Sequence, residues 1–346
     1  MTSIRTSRVQ EPKIDRLIVH FGMPKTGSKA LQKIIRRNVS DDLAYPLSQG
    51  RWHRSIHDAL LKMDDGPLLS SLEEVAGTRL AIISYENFSA LPDEALKILS
   101  DRARTAANET WAMLFLRKQD EYAESLINQM WKAHKVSWEK ANKVQSDLLE
   151  GKLSLDYEMI LDRIGAGFNR VVPLVYDKSI SSHISFSKAV GVKLDAPASL
   201  TSGRVNPALS AVELETMREV KRLAGNHEKL SDIVTATRRA FNSKAEDPNA
   251  SSMIDGPATC LSDEQRETIM NRYASSNERV RERWFPNRAE LFPNSNKLRD
   301  NSTERVRKRW FTNPAGLFSK SNANPDTTHA KPRLDVVSRV QREFDL

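Results

Sequence analysis

The sequence lacks most of what marks a secreted or membrane protein. It has one cysteine, Cys260. No disulfide can form within the chain, and a reducing compartment, the cytoplasm, is the expected setting. No stretch approaches the roughly 18 apolar residues that cross a bilayer, so no transmembrane segment is expected. Residues 1–16 contain no apolar stretch of the kind a secretory signal carries. What is plentiful is charge: 53 Lys and Arg against 45 Asp and Glu, a net charge of +8 and a pI near 9.5. Nucleic acid, an acidic membrane surface and a small polyanionic ligand would each suit that balance. With 346 residues, the chain can form one large α/β domain with an appendage or two modest domains.

Four short apolar runs read as buried strands: Leu17–Phe21, Leu80–Ser84, Ala112–Leu116 and Val171–Val175. Helical patterns separate them, over 28–39, 92–106, 120–150 and 156–166. Strands alternating with helices predict a parallel sheet covered on both faces, with ligands bound along the strands' carboxyl edge. Beyond residue 200 the strand signal ends. Helices are expected over 210–224, where Ser210 and Glu213 form a capping box, and over 262–283. The stretch 241–260 between them reads as a loop. Residues 277–292 recur at 303–318, with eleven of sixteen positions identical at an offset of 26. Two copies are too few for a solenoid. One copy is expected to dock through its Val, Trp, Phe and Leu, leaving the other as a spare amphipathic segment. The resulting organisation is a disordered N-terminus (1–15), one domain (16–296) with a sheet core (16–200) and a helical part (201–296), and a duplicated segment with a polar tail (297–346).

The chemistry concentrates in Gly22-Met23-Pro24-Lys25-Thr26-Gly27-Ser28, which follows a strand and opens a helix. Backbone amides and the helix dipole favour an anion there. Gly27 permits close approach, Lys25 supplies a point charge and Ser28 a hydroxyl. Nucleotide kinases place lysine directly after the second glycine; here Ser28 follows Gly27 and the lysine comes two residues before it. The strand ending Ile83-Ser84-Tyr85-Glu86 offers no aspartate for Mg²⁺. Pro24-Lys25-Thr26-Gly27-Ser28 resembles the 5′-phosphosulfate loop of the sulfotransferases, and the run from Ile18 to Leu31 is similar to bacterial members of that family. The loop departs from the family at Lys29, which stands where a second hydroxyl is usual.

The resemblance extends to a second signature, an Arg at a strand end with a Ser eight residues on, which in the family binds the 3′-phosphate of the donor. Here these are Arg117 and Ser125; a guanidinium suits phosphate because it donates two parallel bonds. Arg204 resembles a further contact to the same phosphate. The resemblance implies a three-layer α/β fold of the P-loop type and 3′-phosphoadenosine 5′-phosphosulfate as co-substrate, with no metal required. It also implies in-line transfer to a hydroxyl or amine, with sugars or glycolipids as acceptors by family analogy. Lys25 would stabilise the leaving oxygen. Three groups compete as general base: Glu86 first, then His53 and His57, which are spaced to share a helix face and so also suit a metal pair, though no third ligand accompanies them. The rival functions are a non-catalytic nucleotide-binding or scaffolding protein on this fold and, less well supported, a P-loop kinase. Acids dilute the basic residues of the repeat, and no nucleic-acid motif appears. Two phosphate sites account for a basic chain without nucleic acid.

Overall fold

The computed structural model describes residues 13–201, 209–243, 259–293 and 332–344. The chain divides into two compact units, residues 1–118 with 155–207, and residues 119–154 with 208–346.

The first unit holds the sheet. In chain order it comprises β1 (Ile14–Phe21), α1 (Ser28–Arg37), α2 (Arg54–Leu60), α3 (Gly66–Glu74), β2 (Leu80–Tyr85), α4 (Asp93–Ala106) and β3 (Ala107–Leu116). The second unit then takes α5 (Gln119–Lys132) and α6 (Trp138–Leu149), and the chain returns with α7 (Tyr157–Gly165), β4 (Arg170–Val175), α8 (Ser182–Val190) and α9 (Ala198–Thr201). All four strands run parallel in the order β2-β1-β3-β4. Each is apolar on both sides because helices cover both faces. Ile18, Ile82, Met113 and Phe115 meet Leu31, Ile34 and Ile35 of α1 and Phe186 of α8 on one face. On the other, the Phe21 ring stands edge-on to Phe88 and Phe168, among the buried Leu96, Leu99, Leu161 and Ile164 of α4 and α7. This is the three-layer α/β arrangement the strand–helix alternation predicts. Ala44 lies along the outer side of β2, accepting from the Ile82 amide at 3.0 Å and donating to the Leu80 carbonyl at 2.7 Å, which covers that sheet edge.

The second unit is helical. To α5 and α6 it adds α10 (Ala211–Ala224), α11 (Leu230–Ser243), α12 (Asp263–Arg272), α13 (Ala274–Trp284) and α14 (Leu334–Phe344). The Ser210 capping box forms in full, with Glu213 returning the bond to the Ser210 amide. The continuous helix expected over 120–150 is two helices. Ser137 caps the second, its hydroxyl accepting from the Lys140 amide. The Lys221 ammonium, fully buried, donates to the carbonyls of Met130, Ala133 and Val136 at 3.2, 2.8 and 2.7 Å. Carbonyls that a continuing helix would satisfy itself are satisfied from α10 instead. The helix expected over 262–283 is likewise divided at Tyr273, whose amide turns back to Met270. The first repeat copy packs as expected: Val280 and Leu291 are buried, while Trp284, Phe285 and Phe292 are half-buried. The second copy, 303–318, and residue Arg204 lie outside the described residues, as does most of the 241–260 stretch.

Candidate active site

The register brings the strand ends level: Phe21 is opposite Tyr85 of β2 and Leu114 of β3, and Leu116 is opposite Val175 of β4. β1 connects toward β2 through α1 on one face, whereas the connection from β2 to β3 runs through α4 on the other. The carboxyl end beside β1 is therefore the point where the connections diverge, and open α/β sheets bind ligands at such points.

The loop after β1 is held there by contacts that leave no room for other residues. The Gly22 amide donates to the Tyr85 carbonyl at 3.0 Å. A Cβ on Gly22 would stand 2.9 Å from the Glu86 Cα, so glycine is what lets the loop lie against the end of β2. Lys25 and Gly27 both adopt left-handed backbone, φ 70° and 80°. A Cβ at Gly27 would also fall 2.7 Å from the Ser182 hydroxyl. For lysine that conformation costs on the order of 1–2 kcal/mol, and two contacts hold it. Arg117 Nη1 donates to the Lys25 carbonyl at 2.7 Å, and the Ser182 hydroxyl donates to the Thr26 carbonyl at 2.8 Å. The Thr26 hydroxyl donates to the Met23 carbonyl at 2.7 Å, and the Ser28 hydroxyl lies 3.3 Å from that same oxygen. Both hydroxyls thus brace the loop from within. Pro24 is half-buried on its outer turn and Lys29 is exposed. The first helical bond of α1 runs from Leu31 to Gly27, so the amides of residues 28–30 have no helical acceptor, the condition that makes a helix N-terminus suitable for an anion.

Charge at this edge is concentrated and mixed. Burial lowers the Lys25 pKa below the ordinary lysine range, and Arg117 lowers it further while Glu86 opposes the shift. Burial raises the Glu86 carboxyl above the ordinary carboxylate range, against the pull of Lys29 and Lys25. Glu86 is therefore a carboxylate of increased basicity beside the loop, as a general base requires.

The histidines separate. His53 is fully buried, its Nε2 donating to the Pro46 carbonyl at 2.7 Å and its Nδ1 accepting from the Ser84 amide at 2.9 Å. Both nitrogens are committed to backbone, and burial lowers its pKa to about 4. It cannot take a substrate proton, and its candidacy as base is corrected on that ground. Nor does it share a helix face with His57. His53 precedes α2 with φ 48°, and only His57 lies within the helix. His57 packs its ring 5.0 Å from Tyr85, with Nδ1 3.0 Å from an Asp58 carboxylate oxygen. Among the described residues no cluster of three or more His, Cys, Asp or Glu is arranged to hold a metal. His20 is a core residue two positions before Gly22. Its Nδ1 lies 2.7 Å from the Ser84 hydroxyl, which also accepts from Gln32 of α1 at 3.0 Å. This buried cluster ties β1, α1 and β2 together beneath the loop.

Ser125 lies on α5 and belongs to the second unit. Two residues of the first-unit site escape a sequence reading. Ser182 braces the loop from a helix with no apolar periodicity strong enough to be noticed. Tyr176 follows β4 directly, its amide donating to the Leu116 carbonyl at 2.7 Å, and its ring lies 5.3 Å from the Arg117 guanidinium. Its place just past a strand's carboxyl end, the criterion that singles out Glu86 and Arg117, is the signal that would have found it.

No protein-family profile matches the chain, and no curated protein does. Among solved structures, it is similar to a sulfotransferase from Alicyclobacillus acidocaldarius, with 15% identity over 66% of this chain and 99% of that one and a TM-score of 0.33. It is also similar to mouse sulfotransferase SULT7A1 complexed with PAP, with 12% identity over 86% of this chain and 91% of that one and a TM-score of 0.31.

Proposed function

We propose that this chain transfers a sulfuryl group from 3′-phosphoadenosine 5′-phosphosulfate to a hydroxyl or amine acceptor. One observation carries the reading: the Arg117 guanidinium bonds the Lys25 carbonyl. Two residues read from the sequence as anion-binding, 92 positions apart, thereby meet at one end of the sheet. In the proposed reaction the loop amides and Lys25 hold the 5′-phosphosulfate, and Arg117 holds the 3′-phosphate. Glu86 takes the acceptor's proton as the new S–O bond, or S–N bond for an amine, forms, and the S–O bond to the bridging oxygen breaks with its electron pair left on the 5′-phosphate. Lys25 and the loop amides offset that developing charge. The part expected for Ser125 stays with the sequence pattern alone. Sugar and glycolipid acceptors stand on family analogy.

The test is transfer of labelled sulfate from the donor to a panel of sugars, lipids, phenols and amines, run with wild type and Lys25→Ala. Transfer that Lys25→Ala abolishes supports the enzyme. Binding of 3′-phosphoadenosine 5′-phosphate without transfer to any acceptor favours a non-catalytic relative. Stabilisation by ATP–Mg²⁺ alone favours the kinase reading.

A further inference from the structure

The duplicated segment has no part in this chemistry, and its pattern of change is not random. In the first copy, residues 277–292, the positions turned into the second unit are Asn277, Val280 and Leu291, with Arg281, Trp284, Phe285 and Phe292 half-buried. Six of those seven positions are identical in residues 303–318, whereas four of the nine exposed positions differ. Exposed Glu282, Pro286, Arg288 and Glu290 become Lys308, Thr312, Pro314 and Gly316. The change at 288 keeps one contact and removes another: Arg281 donates to the Arg288 backbone carbonyl at 3.1 Å, which proline retains, whereas the Arg288 amide donates to the Phe285 carbonyl at 2.9 Å, which proline cannot do. The duplication has therefore kept the docking face and varied the solvent face.

The single buried change is Asn277 to Thr303. Asn277 forms a reciprocal amide pair with Gln119 of α5, Gln119 Nε2 to Asn277 Oδ1 at 2.7 Å and Asn277 Nδ2 to Gln119 Oε1 at 3.1 Å, both residues buried. A threonine hydroxyl cannot reproduce a two-bond amide pair. We propose that the seat occupied by residues 277–292 also accepts residues 303–318 of the same chain, and that the Asn277–Gln119 pair is what keeps the first copy seated. The loss of that pair favours the first copy by roughly ten- to a hundredfold. The occupant comes from the same chain because residues 293 and 333 both belong to the second unit, and a short tether gives millimolar effective concentration. The fifteen residues between Leu317 and Arg333 let the two ends lie up to about 50 Å apart when extended. The protein thus carries its own competitor for one of its tertiary contacts, independently of the activity proposed above.

The test is a double-mutant cycle on the full-length protein, read as thermal midpoints. Val306→Asp alone is expected to leave the midpoint unchanged. Val280→Asp is expected to lower it by only a few degrees, because the second copy takes the seat. The double variant is expected to lose far more than the sum. A Val280→Asp protein as unstable as the double variant, or a Val306→Asp protein that is itself destabilised, overturns the proposal. Deleting residues 277–302, which joins Thr303 to Ser276, asks the same question without adding a charge. It should fold and gain stability on Thr303→Asn. A deletion protein no more stable than one lacking residues 277–318 also refutes the exchange.

Discussion

Among the described residues, two lysines are pushed below the ordinary pKa, and burial is the leading cause for each; in everything else they differ. Lys221, in the helical unit, is lowered to about 8 and is fully enclosed, its three donors matched to three carbonyls. It remains an ammonium at neutral pH and its contacts are complete. Lys25, in the sheet unit, is half-buried on left-handed backbone at the end of β1, with Arg117, Glu86 and Lys29 in its field. A perturbed pKa does not by itself distinguish a structural group from a chemical one. The distinction lies in whether the charged atoms already have their partners and whether the backbone is held in a conformation that packing alone does not require.

That contrast can be broken by substitution. The largest effect is expected at Lys25→Ala: a fall in sulfate transfer of at least about a hundredfold, the scale of losing one transition-state donor, with little change in thermal midpoint. Lys221→Met should do the reverse, destabilising the protein by ~3 kcal/mol by stranding the carbonyls at the end of α5, with transfer by the folded fraction retained. A Lys25 variant that unfolds, or a Lys221 variant that folds normally but is inactive, would erase the difference drawn between them. Glu86→Gln should lower transfer by roughly a hundredfold or more. It should also remove the acid limb of the pH–rate profile, which in wild type falls above the ordinary carboxylate range because burial raises the Glu86 pKa.

Acid stability sharpens the comparison within the sheet unit. His20 and His53 are held neutral by burial, each with a pKa near 4 against an ordinary 6.5. Between those values the unfolded chain binds protons that the folded chain does not, so stability falls as pH drops from about 6.5 toward 4. The loss is about 3 kcal/mol for each histidine. Chemical denaturation at several pH values measures it, and His20→Asn should flatten part of the slope. The smallest effect is expected at Lys25→Gly, which relieves the left-handed strain and should stabilise the fold by ~1 kcal/mol while losing the activity.

The parts of this molecule legible in sequence are those fixed by local rules. The four strands were, because helices on both faces make each run continuously apolar; so were the loop, Glu86 and Arg117, because each directly follows a strand. The breaks at Ala133–Ser137 and at Tyr273 carry no Pro or Gly. The first becomes intelligible only once Lys221, some 85 residues away in sequence, is seen to take the carbonyls. His53 read as a possible base because its role is set by Pro46 and by Ser84, 31 residues on, and spacing does not reveal such partners. Ser182 was missed for the same reason: its importance lies in a contact to Thr26, 156 residues distant.

The central claim is that Arg117 serves the 3′-phosphate of a nucleotide whose other end lies in the loop after β1. Calorimetric titration with 3′-phosphoadenosine 5′-phosphate and with adenosine 5′-monophosphate, on wild type and Arg117→Ala, tests it directly. The account expects wild type to prefer the bisphosphate by at least about tenfold, one charge-assisted contact, and Arg117→Ala to lose that preference while still binding the monophosphate. Equal weakening of both ligands would mean that Arg117 only props the loop through the Lys25 carbonyl, and would contradict the claim.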